Sequence, residues 1–186
     1  MPPGVKISKE VIINAALEIV RSSGAAALNA RDIATMLNCS TQPIFSNFAT
    51  MDALRLAVVQ QAEMRCQAYL KEETERGEYP AYKASGMAYI RFAKEERELF
   101  KLLFMCDRSG TPIPESSELN NQMLKLVHSN TGLDNAEAKL FHLEMWAVVH
   151  GIATMFATGF LDLEWAIVSK MLTDTYQGLK KQYEME

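Results

Sequence analysis

The stretch from Ile12 to Leu54 reads IINAALEIVRSSGAAALNARDIATMLNCSTQPIFSNFATMDAL, and its punctuation decides the fold. Ser8, just upstream, predicts the cap of a first helix running to Ser23, with Glu10 near the positive end of its dipole. Ile12, Ala16 and Ile19, flanked by Ile13, Leu17 and Val20, recur at helical spacing and form one broad apolar face. Gly24 ends that helix, because glycine takes a left-handed conformation at low cost. Asn29 predicts a second cap, followed by a short helix Ala30–Leu37, and Asn38 again tolerates positive φ. Ser40 is expected to cap a third short helix, with Pro43 in its first turn, where a missing N–H costs little. Thr50 caps a fourth, longer helix to about Glu75. Ile33, Ala34, Leu37, Ile44 and Phe48 are expected to point inward, and Ser40, Thr41, Gln42, Ser46 and Asn47 outward. Two short helices around a three-residue turn have helix-turn-helix spacing. The same spacing fits an αα-corner in any helical protein.

Composition supports an all-α reading. The chain has 186 residues, 48% apolar and 23% charged, which is long enough and apolar enough to bury a full core. Nine Gly and six Pro are few, and no Asn-Gly or Asp-Gly hairpin signal occurs. No uninterrupted apolar stretch reaches membrane-spanning length; the densest region, 145–160, contains His150, so no membrane span is expected. The N-terminal residues 1–9 lack a signal-peptide core. Three scattered cysteines, Cys39, Cys66 and Cys106, make neither a disulfide framework nor a metal pair, so a cytoplasmic location is expected. The net charge of −4 hides an asymmetry. In residues 1–50, Lys6, Lys9, Arg21 and Arg31 outnumber Glu10, Glu18 and Asp32, leaving +1 there and −5 elsewhere. A basic head on an acidic body can still bind nucleic acid.

The rest of the chain reads as further helices. Pro80 opens a fifth carrying Tyr82, Met87, Tyr89, Ile90 and Phe92. Leu99, Phe100, Leu102, Leu103, Phe104 and Met105 form a short sixth, apolar nearly all round, which predicts full burial. Cys106–Pro114 reads as a loop and 115–130 as a seventh helix. Asp134 is expected to cap an eighth helix to about Thr158, and Asp162 a ninth to about Gln182, for about nine helices in all. Ala147 with Gly151, and Ala153 with Ala157, give the eighth helix small faces. Trp165, Val168, Leu172, Tyr176 and Leu179 stripe the ninth. These two helices have the composition of an interface, although both could simply complete one core.

Catalytic chemistry is not signalled. His128, His142 and His150 show no metal-ligand spacing, and no nucleophile motif or phosphate-cradling glycine loop occurs. No cofactor, no metal and no enzymatic activity are expected. Eleven Met, interleaved with aromatics in the later helices, suit a surface that accepts varied apolar ligands. Phe92, Phe104, Met105, Phe141, Met145, Trp146 and His150 are the candidate ligand-binding residues, each of which also serves as plain core.

Residues 12–54 resemble the DNA-binding domain of the tetracycline-repressor (TetR) family of transcriptional regulators. The matching pieces are Ala15-Ala16-Leu17, Gly24, Asn29 through Ala34, Leu37 through Ser40, Ile44-Phe45, Phe48 and Leu54. The departures are Phe45 where the family usually has Tyr, Asn47 where His or Tyr is frequent, Met51 where Lys is usual, and Asn38 where Gly is frequent. Trp146, His150 and Gly151 also resemble the signature of a Trp-His-Gly subgroup. The resemblance implies a DNA-binding domain over 1–50 and a helical effector-binding and dimerisation domain over 51–186. It implies DNA contacts from Arg31, Ser40, Thr41, Gln42, Phe45, Ser46, Asn47 and Thr50. Gln42 suits adenine and the Thr41 methyl suits thymine. The implied partners are a palindromic double-stranded operator, a small apolar or amphipathic effector, and a second copy paired through the last two helices. A ligand-responsive repressor is the expected function. The alternative is an all-α small-molecule-binding protein that does not bind DNA.

Overall fold

The computed structural model describes residues 7–106 and 118–184, in nine α-helices with no strand among them. They are α1 Lys9–Ser23, α2 Ala30–Met36, α3 Gln42–Asn47, α4 Met51–Arg76, α5 Ala81–Glu95, α6 Arg97–Phe104, α7 Glu118–Thr131, α8 Asn135–Thr158 and α9 Trp165–Glu184. The chain packs as two compact units. One takes residues up to 67 together with 96–106; the other takes 68–95 and the chain after 106. The first part of α4 and all of α6 supply core to the first unit.

In the first unit the local signals act as expected at most positions. Ser8 Oγ accepts the Val11 amide at 3.3 Å, and α1 buries Ile12, Ala15, Ala16, Leu17, Ile19 and Val20. Gly24 closes the helix at φ +82°, ψ 165°, an extended positive-φ region rather than the left-handed helical one. A Cβ there would stand 3.0 Å from Glu98 Oε2, the mobile end of a side chain, so the positive φ is what calls for glycine. Asn29 Oδ1 accepts the amides of Arg31 and Asp32, both at 3.0 Å. Asn38 takes φ +49°.

The third helix starts later than expected. Thr41, not Ser40, occupies its N-cap position, in helical conformation and without a side-chain cap bond. The turn is therefore five residues, 37–41, and Pro43 still falls in the first turn. Ile44 and Phe48 are buried with Ile33 and Leu54. Truncating such a side chain to Ala costs about 2–5 kcal/mol. Thr50 Oγ1 caps α4 by accepting the Ala53 amide at 3.1 Å. The expectation that α6 is buried all round is corrected: Leu99, Phe100 and Leu103 face inward, while Met105 just beyond it is 43% exposed. Lys101 and Glu98 give the helix a polar side, where they pair at 2.6 Å.

The second unit is built on α5 and α8, with α7 and α9 against them. Gly86 allows the close approach: a Cβ would lie 3.3 Å from both Leu172 Cδ1 and Val149 Cγ2. Asp134 caps α8 in a reciprocal box with Glu137, and Gly159 ends it at φ +71° in the left-handed region. The helix has an 18-residue window of mean hydropathy 1.3, long and apolar enough to cross a membrane by length and composition. In the fold its Phe141, Met145, Val149, Ile152 and Phe156 are buried.

Several expectations change here. Asp162 does not cap α9, which begins three residues later with Glu164 O accepting the Val168 amide at 3.1 Å. Asp162 instead accepts Lys94 Nζ at 2.6 Å. Val168 and Leu172 are buried inside their own chain, as are Ala153 and Ala157. The outward faces are different ones: Leu140, Leu143 and Ala147 on α8, and Ile167 and Met171 on α9. The expected loop after Cys106 and the expected start of the seventh helix lie outside the described residues.

Candidate nucleic-acid interface and helical body

Helix α3 presents one face outward because the opposite one is anchored by Ile44 and Phe48. Gln42, Phe45 and Ser46 are three and four residues apart, so they share that outer face, with Thr41 one turn before Phe45. Gln42, Phe45 and Ser46 are exposed and Thr41 is half-buried. The side chains differ in what they have left to offer. Ser46 Oγ donates to Gln42 O at 2.9 Å. Asn47 is turned in: its Nδ2 donates to Pro43 O at 2.8 Å and to Ile7 O at 3.4 Å, so it ties the chain before α1 to α3. This corrects the outward placement expected for Asn47. Thr50 uses an oxygen lone pair on Ala53 and keeps its proton to donate.

Arg31 is exposed at the first turn of α2 and makes no ion pair with a described carboxylate. Its neighbour Asp32 is occupied, accepting Asn29 Nδ2 at 2.7 Å. Lys9, one of the cations of the basic head, lies with its ammonium 5.0 Å over the Phe48 ring. Only the fold brings positions this far apart in sequence together. Ser40 is exposed beside Thr41. The arrangement offers an uncommitted amide on Gln42, an unpaired guanidinium on Arg31 and an exposed phenyl ring on Phe45 in one small helical unit.

In the helical body the seven apolar candidates separate. Phe92 is fully buried, edge-on to Tyr69 at 5.4 Å. Phe141 is fully buried, edge-on to Tyr176 at 5.4 Å, in a cluster that includes Met145 and Tyr82. Trp146 is 45% exposed and stacks on His150 at 4.8 Å. His150 Nδ1 faces the Tyr89 hydroxyl at 3.0 Å, and one segment earlier His142 Nδ1 faces Tyr82 at 2.9 Å. Burial holds both imidazoles below the ordinary histidine value. Phe104, packed on Phe100, and Met105 belong to the first unit. An open cleft of about 720 Å³ lies elsewhere, lined by Leu70, Thr74, Ala81, Met123, Lys125 and Leu126, and uses none of the seven.

Sequence spacing also missed the buried charges of the body. Glu73 is 2% exposed, with Arg76 Nη1 at 3.4 Å and Arg91 Nε at 3.6 Å. Arg91 donates to Glu72 at 2.8 Å and lies over the Tyr69 ring at 4.8 Å. These contacts fasten the end of α4 to α5. Among the described residues no group of three His, Cys, Asp or Glu side chains is placed to hold a metal ion.

The fold, with its short anchored helix on a small head and its layered helical body, is that of the TetR-like regulators. Residues 82–174, half of the chain, match the family described as tetracyclin repressor-like, C-terminal domain, and the chain belongs to that family. A protein of unknown function from Rhodococcus sp. RHA1 is similar over 98% of both chains, at 21% identity and a TM-score of 0.72. A TetR-like transcriptional regulator from the same organism matches over 95% of this chain and 96% of its own, at 16% identity and a TM-score of 0.69. A multidrug binding protein, EbrR, solved with imidazole, matches over 90% of this chain and 88% of its own, at 18% identity and a TM-score of 0.55. No curated protein matches the chain by sequence.

Proposed function

We propose that the chain is a dimeric, ligand-responsive transcriptional regulator that represses by binding a palindromic DNA operator and is released by a small apolar or amphipathic effector. The observation that carries this reading is the outer face of α3: an anchored helix whose Thr41 and Gln42 side chains are uncommitted, beside an Arg31 without a carboxylate. Residues 1–50 supply the DNA contacts, and 51–186 supply effector binding and dimerisation. Gln42 and Thr41 read base edges; Arg31, Ser40 and Thr50 serve the phosphates, with the N–H groups at the start of α4. Ser46 and Asn47 act by shaping α3, since their donors are already used. The protein works in the cytoplasm.

Dimerisation uses the outward faces of α8 and α9. Leu140, Leu143 and Ala147 are exposed on one, and Ile167 and Met171 on the other. Exposed apolar faces of this kind are covered in assemblies. The effector enters the body, where the open cleft and the half-exposed Trp146, stacked on His150, are the accessible surfaces. The multidrug-binding neighbour supports a permissive ligand. The order Trp146, His150, Gly151 supports the Trp-His-Gly subgroup. A coupling of about 1–3 kcal/mol between effector and operator changes operator affinity roughly 5–150-fold.

The test is selection of bound sequences from a random DNA pool, followed by a screen for compounds that release them. A palindrome bound in a salt-dependent way, and weakened by a compound that binds the body, is the expected result. Failure to select any sequence, with a small molecule still bound, favours a ligand-binding protein that does not use DNA.

A further inference from the structure

The outer face of α3 carries one large apolar side chain that the fold does not use. Phe45 is 50% exposed, while Ile44 and Phe48 on the same helix are buried. Its companions divide sharply. The Ser46 hydroxyl and the Asn47 amide are spent on carbonyls of α3 itself and on Ile7 O. Thr41 and Gln42 make no side-chain hydrogen bond. Thr41 and Phe45 are four residues apart, and Gln42 and Phe45 three, so the two free polar groups flank the ring. A phenyl ring has no N–H or O–H to donate to a phosphate, and its exposed surface is suited to an apolar partner. Among base edges in the major groove, only thymine presents an apolar group, its 5-methyl. The uncommitted Arg31 guanidinium supplies the complementary charge for the backbone of such a duplex.

We propose that Phe45 covers a thymine 5-methyl group in each half-site, so that the protein selects DNA with thymine at that one position. This inference rests on the reading of α3 as the DNA-reading helix. Phe45 is then a specificity-determining residue, not a phosphate contact, and Gln42 and Thr41 read the neighbouring base edges. Removing the ring opens no enclosed cavity in the core, because it is half in solvent, so the fold survives its loss.

The full-length protein is titrated against the DNA selected from the random pool, and then against the same DNA with each thymine replaced in turn by deoxyuridine, which lacks only the methyl. One replacement per half-site is expected to weaken the wild type about fourfold, the worth of one buried methyl group. Phe45→Ala binds both DNAs equally weakly. Phe45→Leu, which keeps apolar bulk, retains the sensitivity, and so does Gln42→Ala. Phe45→Ala still melts in one cooperative transition, with a far smaller loss than Ile44→Ala in the buried face of the same helix. Indifference of the wild type at every thymine, or sensitivity that survives in Phe45→Ala, overturns the assignment while leaving DNA binding in place. If no DNA is selected, or a protein partner alone protects Phe45, both this inference and the reading beneath it fall.

Discussion

Arg21 on α1 and Glu96, 75 residues later, are joined by two hydrogen bonds, Nε to Oε2 at 2.7 Å and Nη2 to Oε1 at 2.9 Å. Glu96 precedes α6, is 4% exposed, and also receives Arg65 from α4 at 2.6 Å. One buried carboxylate therefore ties three helices of the first unit. The Arg21 guanidinium is held above its usual range, chiefly by its bonds to Glu96 and then Glu18. Arg21 meets both carboxylate oxygens with its own fork, the bidentate geometry that makes such pairs directional.

Removing that carboxylate should be costly. Glu96→Ala leaves two arginines without their shared partner, and both are partly in solvent, so the loss is expected at about 1–3 kcal/mol rather than the larger values of fully buried pairs. Arg21→Ala and Arg65→Ala each leave Glu96 one partner and should cost less. Urea denaturation of the three variants and of the double mutant checks this; equal stability of Glu96→Ala and wild type would remove the clamp from the account.

Dimerisation should depend on the outer faces of the last two helices, not on the stripe that periodicity singles out. Leu143→Glu and Ile167→Glu place a charge on exposed positions and should yield folded monomers by light scattering at micromolar concentration. Leu172→Glu puts the same charge at a site 3% exposed and should unfold the chain instead.

Contacts on the head separate by variant. Gln42→Ala and Thr41→Ala should each weaken specific DNA binding by about 1–3 kcal/mol with the fold intact. Arg31→Ala should weaken binding to all sequences and lower the salt slope by about one per protomer of the dimer. Asn47→Ala should act differently, lowering stability by about 1 kcal/mol because it releases the Pro43 and Ile7 carbonyls. Binding isotherms at several salt concentrations, with urea melts, distinguish these outcomes.

Acid should loosen the body before it loosens the head. His142 and His150 are held below the ordinary value of 6.5 by burial, and each faces a tyrosine hydroxyl through Nδ1. As pH falls below about 6.5 the unfolded chain takes up protons that the folded chain still refuses, so stability declines until the folded values are passed. The urea midpoint should be level above about pH 7.5 and fall toward about pH 5.5, with a shallower fall in His142→Asn and His150→Gln. A midpoint that does not move over this window would show that neither ring is held neutral by the fold.

The helices and most of their ends are written in short-range signals, since caps act on neighbouring backbone. Ser8, Asn29, Thr50 and Asp134 bond to amides two or three residues away, and Asn38 and Gly159 take positive φ within their own turns. That reach is short enough to read along the chain. Two caps differ from the local signal because several polar residues compete: Thr41, not Ser40, precedes α3, and Asp162 is drawn to Lys94, 68 residues away. The candidate reading face was legible as Thr41, Gln42 and Phe45, but not the inward turn of Asn47, which needs Ile7 as its partner. Tertiary structure alone decided what covers each apolar stripe. Periodicity shows that Val168 and Leu172 share a face, but it cannot say whether their own chain or a second copy buries it. It equally could not scatter the seven aromatic and Met candidates between core, surface and two units, or bring Arg21, Arg65 and Glu96 together. Those outcomes depend on contacts between residues far apart in sequence, and burial energy is blind to sequence distance.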